Sequence, residues 1–196
     1  MGFLLERCRF SPLGRIEVDV LGGFDCGNPD LNEFFKLDAQ AYTSQLLGKS
    51  YCFIEDETKR IVGAFTVAND SIKVRSLPNA RKKRVLKEIP AQKRFQSYPA
   101  VLIGRLGIDS AFKGKHLGSE LMDFIKAWFI DENNKTGCRF IVVDAYNEVP
   151  ALAFYERNGF GYLFSSDSQE AETIFGTTEK SLSTRLMYFD LITLKP

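Results

Sequence analysis

Residues Pro99-Ala100-Val101-Leu102-Ile103-Gly104-Arg105-Leu106-Gly107-Ile108-Asp109-Ser110-Ala111-Phe112-Lys113-Gly114-Lys115-His116-Leu117-Gly118-Ser119 read as a buried strand, a turn and a glycine-containing loop that opens a helix. The strand is the apolar run Pro99 to Ile108, and Asp109 or Ser110 supplies the turn and capping chemistry that ends it. The helix spans His116 to Phe129, because Leu117, Leu121, Phe124, Ile125 and Trp128 recur on one face at helical spacing.

Working outward, Asn133, Asn134 and Gly137 stop that helix, and Arg139 to Ala145 is an Ile- and Val-containing run that reads as a strand buried on both faces. Pro150 opens a short helix through Arg157, closed by Asn158 and Gly159. Phe160 to Phe164 and Thr184 to Ile192 read as the last strands. Upstream, Asn28 caps a helix over Pro29 to Leu47, with Leu31, Phe34, Phe35, Ala39, Tyr42 and Leu46 on one face. Tyr51 to Glu55 and Arg60 to Val67 form a hairpin around the polar segment Asp56 to Lys59, and Asn79 to Lys87 is helical up to Pro90. The order is that of an α/β protein. No GxGxxG follows a strand: Gly22-Gly23-Phe24-Asp25-Cys26-Gly27 has the wrong spacing and reads as a turn.

At 196 residues, with 44% hydrophobic and 26% charged residues, the chain fits a single domain over residues 1–196 with an aromatic-rich core. Its apolar runs fall far short of the roughly 20 residues that cross a bilayer, so no membrane association is expected. The N-terminus MGFLLERC has no basic region before its apolar run, which points to a cytoplasmic location. Cys8, Cys26, Cys52 and Cys138 have neither zinc nor disulfide-scaffold spacing, and no metal site is expected. The net charge of +1 conceals a cluster. Between Lys73 and Arg94, nine basic residues (Lys73, Arg75, Arg81, Lys82, Lys83, Arg84, Lys87, Lys93, Arg94) face the single acid Glu88. Such a segment fits an anionic partner or a solvated helix face.

The segments Leu102 to Asp109, Lys113 to Gly118, Asp144-Ala145-Tyr146-Asn147 and Ala153-Phe154-Tyr155-Glu156-Arg157-Asn158-Gly159-Phe160 together resemble the core of the GNAT acetyltransferase superfamily over residues 99–164. The resemblance implies a mixed, mostly antiparallel central sheet with helices on both faces, and acetyl-CoA as acyl donor. A loop running into a helix N-terminus offers unpaired N–H groups and the positive end of the helix dipole, which suits the cofactor's pyrophosphate. The implied cofactor contacts are Lys113, Gly114, Lys115, His116, Leu117, Gly118 and Ser119 in the loop. Leu106 and Ile108 would reach the pantetheine arm through their backbone, and Asn147 matches a position that contacts the cofactor or fixes the next helix. One departure stands out: His116 occupies a position where the family pattern has glycine. It either narrows the pyrophosphate pocket or adds a donor to phosphate.

Acyl transfer to an amine needs a neutral nucleophile, oxyanion stabilisation and a proton for the departing thiolate. Tyr155 matches the family tyrosine beside the cofactor sulfur and is the implied general acid. Asp109, Asp144 and Glu55 are all open as general bases, and a water chain could serve in their place.

Phe24 to Phe35, Pro99 to Leu106 and Arg185-Leu186-Met187-Tyr188 extend the resemblance to the acetyltransferase toxins of bacterial toxin-antitoxin pairs, which acetylate aminoacyl-tRNA. That resemblance implies tRNA contact through Arg81, Lys82, Lys83 and Arg84, an antitoxin protein as partner, and a homodimer. An acetyltransferase acting on a small-molecule or protein amine, and a non-catalytic module that binds CoA or a partner, are the alternative readings. Ser165 to Lys180 reads as an insertion before the last strand.

Overall fold

The computed structural model describes residues 2–195 and, for Lys93, the backbone alone. The chain forms two compact units, Met1–Ala68 with Ile103–Ile125 and Asn69–Leu102 with Lys126–Pro196. Among the described residues, seven strands lie in the sheet of an α/β fold.

In the first unit, α1 (Phe3–Arg7) leads into β1 (Cys8–Pro12), which pairs antiparallel with β2 (Lys49–Glu55). β2 pairs antiparallel with β3 (Ile61–Ile72), with a register shift at Phe53/Ile54. The expected hairpin is present, whereas the short, part-polar sequence of β1 carries no strand signal. α6 (Leu117–Ile130) starts and ends within one residue of expectation. Its Phe124 ring lies 4.8 Å from Phe53 and 4.9 Å from Phe10, in an aromatic cluster with Tyr51 and Phe65. Each such pair adds about 0.5–1.5 kcal/mol beyond its burial.

α2 (Val18–Gly22) is followed by the helix expected over residues 29–47, which is built in three pieces. α3 (Pro29–Glu33) has Pro29 in its first turn and an Asn28 side chain accepting from the Leu31 N–H at 3.2 Å. A π-helical turn, Phe34–Asp38, then passes into α4 (Ala39–Ser44). Phe35 and Ala39 are buried with Phe24, Cys26, Cys52 and Ala64.

In the second unit, α5 (Asn79–Val85) presents Val85 to a core with Leu86, Ile89, Tyr98, Phe140, Val142, Phe164 and Tyr188. β5 (Phe140–Tyr146) pairs antiparallel with β7 (Thr184–Asp190), which also pairs with β6 (Gly161–Tyr162). The strand expected over Phe160 to Phe164 is therefore only two residues long. β4 (Tyr98–Ile108) carries the chain from this unit into the first.

α7 (Val149–Arg157) lies between β5 and β6 in sequence. The insertion holds a helix, α8 (Asp167–Phe175), capped by the Ser166 hydroxyl and stopped by Gly176 at φ +73°. Charge fixes α8, whose Ile174 and Phe175 stay at the surface. Its buried Glu170 accepts from Arg185 Nε and from the Leu186 N–H, both at 2.8 Å, while Asp167 pairs with the same guanidinium. Burial pushes the Glu170 carboxyl up despite the pull of Arg185.

Candidate functional site

The loop between β4 and α6 is anchored by Asp109, whose side chain is almost fully buried. Its Oδ1 accepts from Arg60 at 3.2 Å and from the Ala111 N–H at 2.9 Å, and its Oδ2 accepts from the Asp25 N–H at 3.1 Å. Its own N–H donates to Val62 O at 2.9 Å. These contacts engage the carboxylate as an anchor and remove Asp109 from the general-base candidates. Of the other two, Glu55 lies in the β2–β3 hairpin, where Thr58 donates to its carboxylate, and Asp144 is exposed on β5.

Beyond that anchor, Lys113, Gly114, Lys115 and His116 are all exposed. Gly114 turns the chain at φ +79° with nothing within 4 Å of where a Cβ would stand. His116 has φ +58°, and its carbonyl accepts the first helical bonds, from Ser119 at 3.1 Å and Glu120 at 3.2 Å. A left-handed residue at this place explains why glycine suits it, since a Cβ there costs about 1–2 kcal/mol. His116 follows the glycine path with its side chain at the surface, so the loop keeps its course. The N–H groups of Leu117 and Gly118, at the start of α6, have no acceptor one turn earlier within the helix, whereas Ser119 is already bonded to His116. An exposed, open loop with these donors and two lysines fits a pyrophosphate. Leu106 and Ile108 are partly buried near the end of β4.

Tyr155 is placed by the end of its own helix. Gly159, at φ +81°, donates to Glu156 O at 2.9 Å, and Phe160 donates to Tyr155 O at 3.0 Å, the paired bonds of a Schellman stop. The Tyr155 ring meets Phe160 edge-on at 5.4 Å and Phe154 at 5.2 Å. Burial, with a further push from Tyr146, raises its phenol to about 12. The phenol therefore stays protonated throughout the physiological range and can act as a donor.

Asn147 is engaged inside its own unit. Its amide donates to Asp167 at 2.9 Å and to Leu182 O at 3.0 Å, and its N–H donates to Ser183 O at 2.8 Å. It ties the end of β5 to α8 and to the approach to β7.

The four α5 residues expected to meet RNA divide into two kinds. Arg81 Nε donates to Leu163 O at 2.9 Å and its Nη2 to Tyr162 O, so Arg81 closes open carbonyls around β6. Arg84 is exposed, with its guanidinium 3.0 Å from where a Cβ on Gly161 would stand. Lys82 is partly buried, and Lys83 and Lys87 are exposed. The side chain of Lys93 lies outside what is described. Sequence reasoning passed over Lys126, a buried lysine on α6 whose Nζ donates to Asn158 O at 2.8 Å. Only its place beside the apolar Phe124, Ile125 and Trp128 hinted at burial.

Among the described residues, no cluster of three or more His, Cys, Asp or Glu could hold a metal ion, and no helix is long and apolar enough to cross a membrane.

Residues 48–161 match the family described as acetyltransferase (GNAT) domain. A tRNA-acetylating toxin of Mycobacterium tuberculosis (strain ATCC 25618 / H37Rv) is 27% identical over 139 residues, which covers 71% of this chain and 76% of the toxin. Among solved structures, AtaT complexed with acetyl-methionyl-tRNAfMet superposes with a TM-score of 0.67 at 19% identity, covering 96% of this chain and 97% of that one. AtaTR bound with AcCoA gives a TM-score of 0.63 at 20% identity, covering 97% of each. These structures share the fold.

Proposed function

The chain belongs to the GNAT acetyltransferase family, and we propose that its acceptor is the α-amino group of aminoacyl-tRNA. It is an acetyl-CoA-dependent N-acetyltransferase. The observation that carries the acceptor is the match to a tRNA-acetylating toxin across 71% of the chain. The basic residues on and just beyond α5 support it. Lys82, Lys83 and Lys87, with Arg84, offer cations to phosphate, while Arg81 holds the fold.

In this reading acetyl-CoA brings the acetyl thioester. The loop amides of Leu117 and Gly118, with Lys113 and Lys115, take its pyrophosphate. The backbone of Leu106 and Ile108 aligns the pantetheine arm. The amine nitrogen bonds to the acetyl carbon, the carbon–sulfur bond breaks, the nitrogen loses a proton and the sulfur gains one. Tyr155 supplies the hydrogen bond to that sulfur. A phenol near 12 facing a thiol near 8.5 makes complete transfer uphill by about 5 kcal/mol. Its role is thus to stabilise the developing thiolate, with solvent completing the protonation.

The toxin resemblance extends to an antitoxin partner, and we propose one that relieves the activity on co-expression. Adding the purified protein to a cell-free translation system tests the acceptor. Synthesis stops when acetyl-CoA is present and continues when it is omitted; arrest without acetyl-CoA, or none with it, rejects the reading.

A further inference from the structure

Lys126 is 7% exposed, and a buried ammonium is costly unless it is well partnered. Two of its contacts bear on the frame around Tyr155. Nζ donates at 2.8 Å to the carbonyl of Asn158, the residue that caps α7, and lies 4.6 Å from the centroid of Phe189. A cation at the carbonyl end of a helix is stabilising, and a desolvated cation over a ring adds to that. Asn158 is bound back into the helix, its N–H to Tyr155 O at 3.1 Å and its side-chain amide to Phe154 O at 2.8 Å. Phe189 packs on Phe160 at 5.6 Å, and Phe160 packs on the Tyr155 ring. A Cβ on Gly159 would stand 3.1 Å from Phe189, so the stop is closed tightly on that side. Lys126 thus holds both routes to Tyr155, the backbone through Asn158 and the ring through Phe189 and Phe160.

We propose that Lys126 is a positioning residue for the reaction, one that fixes the Tyr155 phenol in the orientation it needs to serve the leaving sulfur. This inference rests on the reading of Tyr155 as the group that stabilises that sulfur. A hydroxyl displaced by about 1 Å can lower a rate on the order of a hundredfold, so a clamp on the helix end that carries it acts on kcat.

The test is a double-mutant cycle with kcat, KM for acetyl-CoA and melting temperature measured on the full chain. Lys126→Met keeps the stem and removes the ammonium. It is expected to lower kcat roughly tenfold or more with KM within about twofold, and to lower it less than about twofold further in the Tyr155→Phe background. Lys126→Arg, which restores a cationic donor, recovers most of the lost kcat. If Lys126→Met does not fold, Phe189→Leu removes the ring contact and carries the same expectation in both backgrounds. An unchanged kcat, or an equal fold-loss with and without the Tyr155 hydroxyl, overturns the proposal. The Tyr155→Phe single variant separates the two readings. If it alone leaves kcat unchanged, the role of Tyr155 fails and the positioning role falls with it; a low kcat there beside a full-rate Lys126→Met overturns only the positioning role.

Discussion

Tyr155 and Phe160 stand at the two ends of one helix stop: the Phe160 N–H donates to the Tyr155 carbonyl at 3.0 Å while the rings meet edge-on at 5.4 Å. The run Phe154 to Phe160 thus folds as a unit that fixes a tyrosine ring from both sides.

Because the ring and not the hydroxyl makes those contacts, Tyr155→Phe should keep the fold. The expected result is a kcat lower by roughly 10²-fold with the KM for acetyl-CoA nearly unchanged, and a melting temperature close to that of the parent. Steady-state kinetics with thermal melting check both.

Gly159→Ala, by contrast, should destabilise by about 1–2 kcal/mol, since φ is +81° and the new Cβ meets Phe189 at 3.1 Å. Urea unfolding of the two proteins measures it.

The pH dependence follows from groups whose folded values are raised. Tyr155 and Cys52 are pushed to about 12, and Cys8 and Cys138 to about 11, burial being the largest cause for each. Each group holds its proton more tightly folded than unfolded. Their contribution is therefore complete below the unfolded values, near 9 for the thiols and 10 for the phenol, and is lost as pH rises through 11 to 12. Melting temperature should fall progressively above about pH 9. The kcat profile should show no alkaline fall from Tyr155 below about pH 10.

His116→Gly should stabilise the protein by about 0.5–1 kcal/mol, because the left-handed backbone at φ +58° no longer carries a Cβ. The KM for acetyl-CoA should stay within about twofold. A large rise in KM would make His116 a contact to phosphate. A bulky residue at Gly118 should weaken acetyl-CoA binding more than His116→Gly does; calorimetric titration compares them.

On and just beyond α5, reversing Lys82, Lys83 and Lys87 to Glu should weaken binding of charged tRNA and make its salt dependence shallower, with activity on a minimal amine preserved. Arg81→Glu should instead lower stability, because its donors to Leu163 and Tyr162 are lost. Filter binding across a salt series and thermal melting distinguish the two.

The stretch from β4 to α7 was legible because strong local signals agree there. An apolar strand, a helix with a continuous face and a Pro-opened, Gly-closed helix match the observed elements to within a residue or two. β1 was hidden because five residues with Arg9, Ser11 and Pro12 alternate too briefly to signal a strand. α8 was hidden because its place depends on the Glu170–Arg185 pair, a contact that helix periodicity does not announce. The candidate loop and Tyr155 could be read from motif and order. The anchoring by Asp109, the ties of Asn147 and the inward role of Arg81 could not, since each is set by a partner distant in sequence.

The proposed acceptor is the amino group of a charged tRNA. The direct measurement incubates the protein with radiolabelled acetyl-CoA and three acceptors: aminoacyl-tRNA, the same tRNA deacylated, and the free amino acid. Label should enter the aminoacyl-tRNA, be released by mild base as the N-acetylated amino acid, and fall roughly 10²-fold with Tyr155→Phe. Label on the free amino acid at an equal rate, or none on aminoacyl-tRNA while a small amine or protein amine is acetylated, would contradict it.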